Sequence, residues 1–157
     1  MDLITELVHT LLKQHQTIAT CESVTAGLFA AAIAAVPHAS NTLQGGVIAY
    51  QNHIKEQIVG VKKETIMTHG VISAECVKEM AVSVKEMFGS DIGVAFSGNA
   101  GPDTMEGKPV GCVWVGISDE FGVEGYELQL SGTRNEVRQR CVVEACRLIL
   151  DRMKAKE

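Results

Sequence analysis

Leu3, Ile4, Leu7, Val8, Leu11 and Leu12 recur at helical spacing behind Asp2, so the chain opens on an amphipathic helix that the aspartate can cap. Thr17 to Thr20 reads as a short buried strand. Residues Thr25 to Val36 are alanine-rich and predict a helix, which Pro37 stops. An apolar strand over Val47 to Tyr50 leaves the Gly45-Gly46 pair. Asn52 to Val59 predicts a short helix ended near Gly60, and Glu64 to Thr68 a further turn or two ended near Gly70. Ser73 is a good N-cap, with Glu75 favourable in the first turn behind it. Val77, Met80, Ala81, Val84, Met87 and Phe88 then form one apolar stripe.

Ile92 to Phe96 predicts a buried strand, and Ser97 to Gly111, rich in Gly and Pro and without periodicity, a long loop. Cys112 to Ile117 and Val123 to Leu130 predict a hairpin turning at Asp119 to Gly122. Thr133 and Glu136 have the spacing of a capping box, and Val137, Cys141, Ala145 and Leu148 mark the buried face of a last helix. Mostly alternating helices and strands imply a central sheet covered on both faces, and the late hairpin makes it mixed. No linker, repeat or low-complexity stretch interrupts the pattern, so one domain is expected over residues 1–157.

Composition narrows the function. Hydrophobic residues make up 46% of the 157, enough for a packed core, but with one Trp, two Tyr and four Phe that core must be aliphatic. The formal charge of −5 does not favour nucleic acid, whose binding needs a basic face. A small phosphate ligand, which needs only a few local donors, remains compatible. Cys21, Cys76, Cys112, Cys141 and Cys146 show no C-x-x-C spacing and read as buried free thiols in a reducing cytoplasm. His9, His15, His38, His53 and His69 show no paired ligand spacing and read as surface or turn residues, so no metal site is expected. The acidic start lacks a basic n-region, and no apolar run reaches bilayer length, so no membrane association is expected.

Three segments carry candidate chemistry. Ser23, in Cys-Glu-Ser-Val-Thr-Ala-Gly at 21–27, stands at a strand-to-helix junction, where a hydroxyl can serve as nucleophile once a base takes its proton. Free amides at such a junction can also hold an oxyanion or a phosphate. Tyr50 lies at a strand end, and Lys55 just beyond it can act as the base if burial lowers its pKa. In the loop, Gly98 and Gly101 let backbone amides approach a ligand, and Asp103 can accept from ribose hydroxyls. Lys108, Arg134 and Arg138 can hold a phosphate. Taken alone, each segment has an ordinary structural explanation: a helix cap, a strand-end aromatic, a tight turn.

Together the segments resemble the CinA C-terminal domain family, the nicotinamide mononucleotide (NMN) deamidases. The resemblance runs from about Thr17 to Met153 through six motifs in order: Glu22 to Gly27, Gly45 to Lys55, Gly70 to Ser73, Ser97 to Asp103, Lys108 to Gly111, and Gly132 to Arg138. It implies a three-layer α/β/α sandwich with a mixed, mostly parallel sheet. It implies hydrolysis of NMN to nicotinic acid mononucleotide and ammonia without cofactor or metal. Ser23 would be nucleophile, Lys55 its base, and Tyr50 an aid to proton transfer or orientation. Matching positions Thr25, Gly27, Gly46, Asn52, Ser73, Gly98, Ala100, Gly101, Asp103, Lys108, Arg134 and Arg138 would shape the substrate site. Amides near Thr25 to Gly27 are the candidate oxyanion hole. The family also implies a cytoplasmic homo-oligomer with a small nucleotide as its partner.

The chain departs from the family pattern at Val24, Ala26, Val71, Ile72, Asn99 and Thr104-Met105, where glycines or smaller or less polar residues are usual. A second reading therefore stands beside the first: a catalytically weak relative that binds a nucleotide or a partner.

Overall fold

The computed structural model describes residues 1–156 and contains five strands and six helices, one of them continuing into a π-helix. Helix α1 (Leu3–Lys13) is capped by Asp2, whose carboxylate accepts from the Thr5 amide at 2.8 Å. Strand β1 (Ile18–Glu22) is buried along its whole length, as a central strand between two covered faces must be. Helix α2 (Leu28–Ala34) leads to β2 (Leu43–Ile48). Short α3 (Asn52–Ile54) runs into a π-helix over Lys55–Val59, followed by α4 (Lys63–His69) and α5 (Ala74–Phe88). Then come β3 (Ile92–Gly98), the hairpin β4 (Cys112–Asp119) and β5 (Gly122–Gln129), and α6 (Arg134–Ala155).

The strand order is β2-β1-β3-β4-β5. β1 pairs in parallel with both β2 and β3, while β4 is antiparallel to β3 and to β5. Four of the five strands therefore point one way, and the sheet is mixed and mostly parallel as expected. One core packs α1, α2 and α6 against the sheet through Leu7, Phe29, Ile33, Phe96, Val115 and Ile149. The other packs α5 against the opposite face through Cys21, Ile72, Cys76, Met80 and Val84. This is the three-layer sandwich.

The structure moves several boundaries. Helix α2 begins at Leu28, not Thr25, because Ala26 (φ 48°) and Gly27 (φ 95°) both lie in the left-handed region and cannot continue a right-handed helix. Strand β2 takes in the glycine pair and stops at Ile48, two residues before Tyr50. The pair sits inside the strand because neighbours approach closely: a Cβ on Gly45 would lie 2.6 Å from the Phe88 ring, and one on Gly46 would collide with the Thr20 hydroxyl. Strand β1 extends to Glu22 instead of ending at Thr20. Both predicted caps hold: Ser73 Oγ accepts from the Cys76 amide, and Thr133 and Glu136 form the reciprocal capping box. All five cysteines are buried and unpaired.

Candidate active site

The carboxyl ends of β1, β2 and β3 open onto one edge of the sheet, the place where parallel α/β sheets bind ligands. Ser23 follows β1 directly. Its amide donates to Phe96 O of β3 at 3.1 Å, and on the other side Ala49 N donates to Glu22 O at 2.8 Å. The ladder thus continues past both strand ends and holds Ser23 between β2 and β3. A cavity of about 410 Å³ lies there, walled by Ser23, Tyr50, Asn52, Asn99, Asp103 and Arg134 among others. A wider groove of about 600 Å³ runs between the π-helix and α5, with Lys62, Glu79 and Glu86 in its walls. The smaller cavity is the better candidate, because nucleophile, acid and base types converge in it from separate strand ends.

Ser23 is 7% exposed, and its hydroxyl makes no hydrogen bond to another described residue. Between Ser23 and α2 lies a tight turn in which Ala26 N donates to Ser23 O at 3.0 Å. That amide is therefore taken and is no oxyanion donor. Arg138 holds the turn from α6, donating through Nε to Val24 O at 3.1 Å and through Nη2 to Thr25 O at 2.9 Å. A carbonyl drawn toward Arg138 turns the amide on the other side of its peptide plane away from it. The Val24 carbonyl therefore leaves the Thr25 N–H facing away from α6. Thr25 Oγ1 is fully buried and makes no hydrogen bond, the one such buried side-chain atom among the described residues.

Glu22 was not among the expected site residues. Its carboxylate is 1% exposed and accepts from Phe29 N at 2.9 Å, Ala30 N at 3.0 Å and Thr20 Oγ1 at 3.0 Å. It is the cap of α2, reached from the preceding strand, since Gly27 offers no side chain. Hydrogen bonds to a charged acceptor contribute about 1.5–3 kcal/mol each. The glutamate thus fixes the far end of the turn whose near end carries Ser23.

Ala26 has a φ of 48°, a left-handed conformation in which an L side chain strains the backbone. Ala26→Gly is expected to raise stability by about 0.5–1 kcal/mol, the strain relieved outweighing the freedom gained by the unfolded chain. Thermal melts of the two proteins check this; a lower Tm for the glycine variant would show that the strain is absent.

Lys55 is 1% exposed, and its Nζ donates to the Tyr50 carbonyl at 3.0 Å. Burial lowers its pKa, while Cys76, Cys21 and Glu106 act in the opposite direction. Cys21 and Cys76 are themselves pushed up to about 12 by burial, so both thiols are neutral near pH 7 and Cys21 is no thiolate nucleophile. Lys55 makes no hydrogen bond to Ser23. It stands behind the turn that carries Tyr50, as the first residue of the π-helix into which α3 widens. Tyr50 is 48% exposed, and its hydroxyl accepts from Arg134 Nη2 at 2.9 Å.

Arg134 also donates to Gly101 O at 2.6 Å, so it links the Tyr50 side of the cavity to the 99–111 loop. Gly98, Ala100, Gly101 and Asp103 line the same cavity, with Asp103 exposed. Asn99, a departure from the family pattern, is buried and satisfied: Nδ2 donates to Met105 O and Lys108 O, and Oδ1 accepts from Met105 N. Seven expected residues lie outside the cavity wall. Lys55 is buried behind it, Thr25 is buried in the turn after Ser23, Gly46 is inside β2, Gly27 is the turn before α2, Ser73 caps α5, Arg138 holds carbonyls, and Lys108 donates to Ile72 O. His53, read from the sequence as a surface or turn residue, lines the cavity beside Asn52. Its place between Asn52 and Lys55 in the motif was the available signal. Among the described residues, no group of three His, Cys, Asp or Glu gathers to hold a metal, and no helix is long and apolar enough to cross a membrane.

Strands that deliver a serine, a tyrosine and a polar loop to one cavity at their carboxyl ends define a three-layer α/β domain with a candidate site at the sheet edge. The sequence model of the CinA C-terminal domain matches residues 1–153. The chain belongs to the CinA C-terminal domain family. A relative from Geobacillus sp. (strain WCH70), bearing a competence-damage inducible name, is 40% identical over 154 residues, 98% of this chain and 37% of that protein. One from Lysinibacillus sphaericus (strain C3-41), similarly named, is 42% identical over 150 residues, 94% of this chain and 36% of that protein. The chain thus spans little more than a third of the curated relatives it matches. A crystal structure of a CinA superfamily protein from Klebsiella pneumoniae 700603 superposes with a TM-score of 0.95 at 28% identity, covering 98% of this chain and 96% of that one. A competence/damage inducible protein from Agrobacterium tumefaciens gives 0.88 at 28% identity, covering 96% of each.

Proposed function

We propose that the protein is an amidohydrolase that converts NMN to nicotinic acid mononucleotide and ammonia, with Ser23 as nucleophile and Lys55 as base. The observation that carries this reading is the Ser23 hydroxyl: held between two parallel strand ends, facing a polar cavity, and engaged by no other described residue. A buried lysine whose pKa burial lowers gives up its proton more readily than one in water, which suits it to act as a base. Its Nζ can keep donating one hydrogen to the Tyr50 carbonyl while the lone pair of the neutral amine accepts a proton.

Ser23 Oγ attacks the carboxamide carbon as its proton passes to Lys55 Nζ. The C–O bond forms, and the carbonyl oxygen becomes an oxyanion. Collapse breaks the C–N bond, and the lysine ammonium returns the proton to the leaving nitrogen, releasing ammonia. Water, deprotonated by Lys55, then attacks the acyl-serine ester and frees the acid and Ser23. Tyr50 can donate its phenolic hydrogen to the substrate, because its oxygen already accepts from Arg134. Asp103 suits ribose hydroxyls, and Arg134 suits the phosphate. Under this reading the protein is a cytoplasmic homo-oligomer with a small nucleotide substrate.

Incubation of the purified, EDTA-treated protein with NMN tests the reading. Stoichiometric ammonia and nicotinic acid mononucleotide are the expected products. Binding of NMN by folded protein without any ammonia would replace the hydrolase with a nucleotide-binding module.

A further inference from the structure

The loop that walls the cavity is fastened at a point the catalytic scheme does not use. Glu106 accepts from Val71 N at 2.8 Å and from Ile72 N at 3.1 Å through its two carboxylate oxygens. Both residues are buried, at 2% and 0% exposure, so few other groups can satisfy those amides. Lys108, two residues on, donates to the Ile72 carbonyl and lies 4.0 Å from Glu106. The turn before α5 is thus gripped on its N–H side by the glutamate and on its C=O side by the lysine. The grip is held in strain, since Glu106 has φ 61°, a region costly for any residue with a Cβ. Gly70 faces the carboxylate so closely that a methyl group there would collide with it.

We propose that Glu106 is a positioning residue of the active site, tying the cavity wall that carries Asp103 and Met105 to the turn before α5. The inference rests on the amidohydrolase reading for its catalytic consequence, but not for its structural part. The wall from Gly101 to Lys108 has two internal anchors, the Asn99 side chain and Arg134 on Gly101 O. Glu106 and Lys108 tie it to the α5 layer, a contact between parts of the chain 34–36 residues apart.

The test compares wild type with Glu106→Gln, which keeps the size of the side chain, removes the charge and leaves one acceptor oxygen for two amides. Amide hydrogen exchange at Val71 and Ile72 is followed without substrate; KM and kcat for NMN are measured in parallel. Expected are exchange faster by about tenfold or more at one or both amides and a KM raised about tenfold with a smaller change in kcat. Gly70→Ala, which displaces the carboxylate from the other side, is expected to reproduce the faster exchange. Wild-type exchange at both amides, or an unmoved KM, in folded Glu106→Gln overturns the proposal. If wild type does not hydrolyse NMN at all, the functional reading fails, while exchange still decides the structural role of Glu106.

Discussion

Ser23→Ala is expected to lower NMN turnover by at least about 10⁴-fold while leaving fold and ligand binding intact. The reason is local. The serine hydroxyl is engaged by no other described residue, so its removal orphans no buried donor or acceptor among them. What positions the residue is its backbone, through Ser23 N on Phe96 O and Ser23 O on the Ala26 amide, and alanine keeps both bonds. The stability change should stay within about 0.5 kcal/mol. Ammonia release reads the chemistry, and calorimetric titration with NMN reads the binding. Turnover near the wild-type rate would remove Ser23 from the mechanism and turn attention to water as the direct nucleophile.

Lys55→Met is expected to lower kcat by about 10²–10⁴-fold, the range of a positioned general base, and to do so without destabilising the fold. Lysine here is 1% exposed with one hydrogen bond, to the Tyr50 carbonyl. Methionine fills the same space with no charge to desolvate. Lys55→Arg should be as inactive as the methionine variant, because a guanidinium does not release its proton.

The pH dependence follows from the direction of the shift. Burial lowers the folded-state pKa of Lys55 below the ordinary 10.5. The unfolded chain therefore binds more protons between the two values. The stability contribution is fullest above 10.5 and is lost as pH falls through the folded-state pKa. Wild type should lose stability relative to Lys55→Met as the pH is lowered from 10.5, and its turnover should rise with pH through the same folded-state pKa. Denaturant melts of both proteins across that range measure the difference. A constant gap would mean that Lys55 carries an ordinary charge in the fold and is no base.

Much of this architecture can be read without coordinates. Asp2, Ser73 and the Thr133-Glu136 pair announce helix starts because capping is a contact between residues three apart. The stripe from Val77 to Val84 and the buried run from Ile92 to Phe96 announce helix and strand, because side-chain direction repeats with a fixed period. Ser23 and Tyr50 do come to one cavity, in segments whose motifs mark them. Boundaries were less legible. Nothing in the run of alanines from Ala30 shows that Ala26 and Gly27 turn left-handed, and the β2 glycines look like a turn until Phe88 and Thr20 are seen against them.

Tertiary structure alone decided the supports of the site. Glu22 reaches seven and eight residues ahead to cap α2, Glu106 binds amides 34 and 35 residues back, and Arg138 holds carbonyls more than 110 residues away. The same is true of the burial of Lys55, which a sequence reads as one more polar residue on a short helix. The sequence by itself determined the elements, their caps, the family and the residue types at the strand ends, because these depend on neighbours a few positions apart. Which lysine loses its water, which carboxylate caps a helix and which loop is tied to which turn depend on how the layers close. Hydrogen bonds between distant segments leave no periodic trace in the chain.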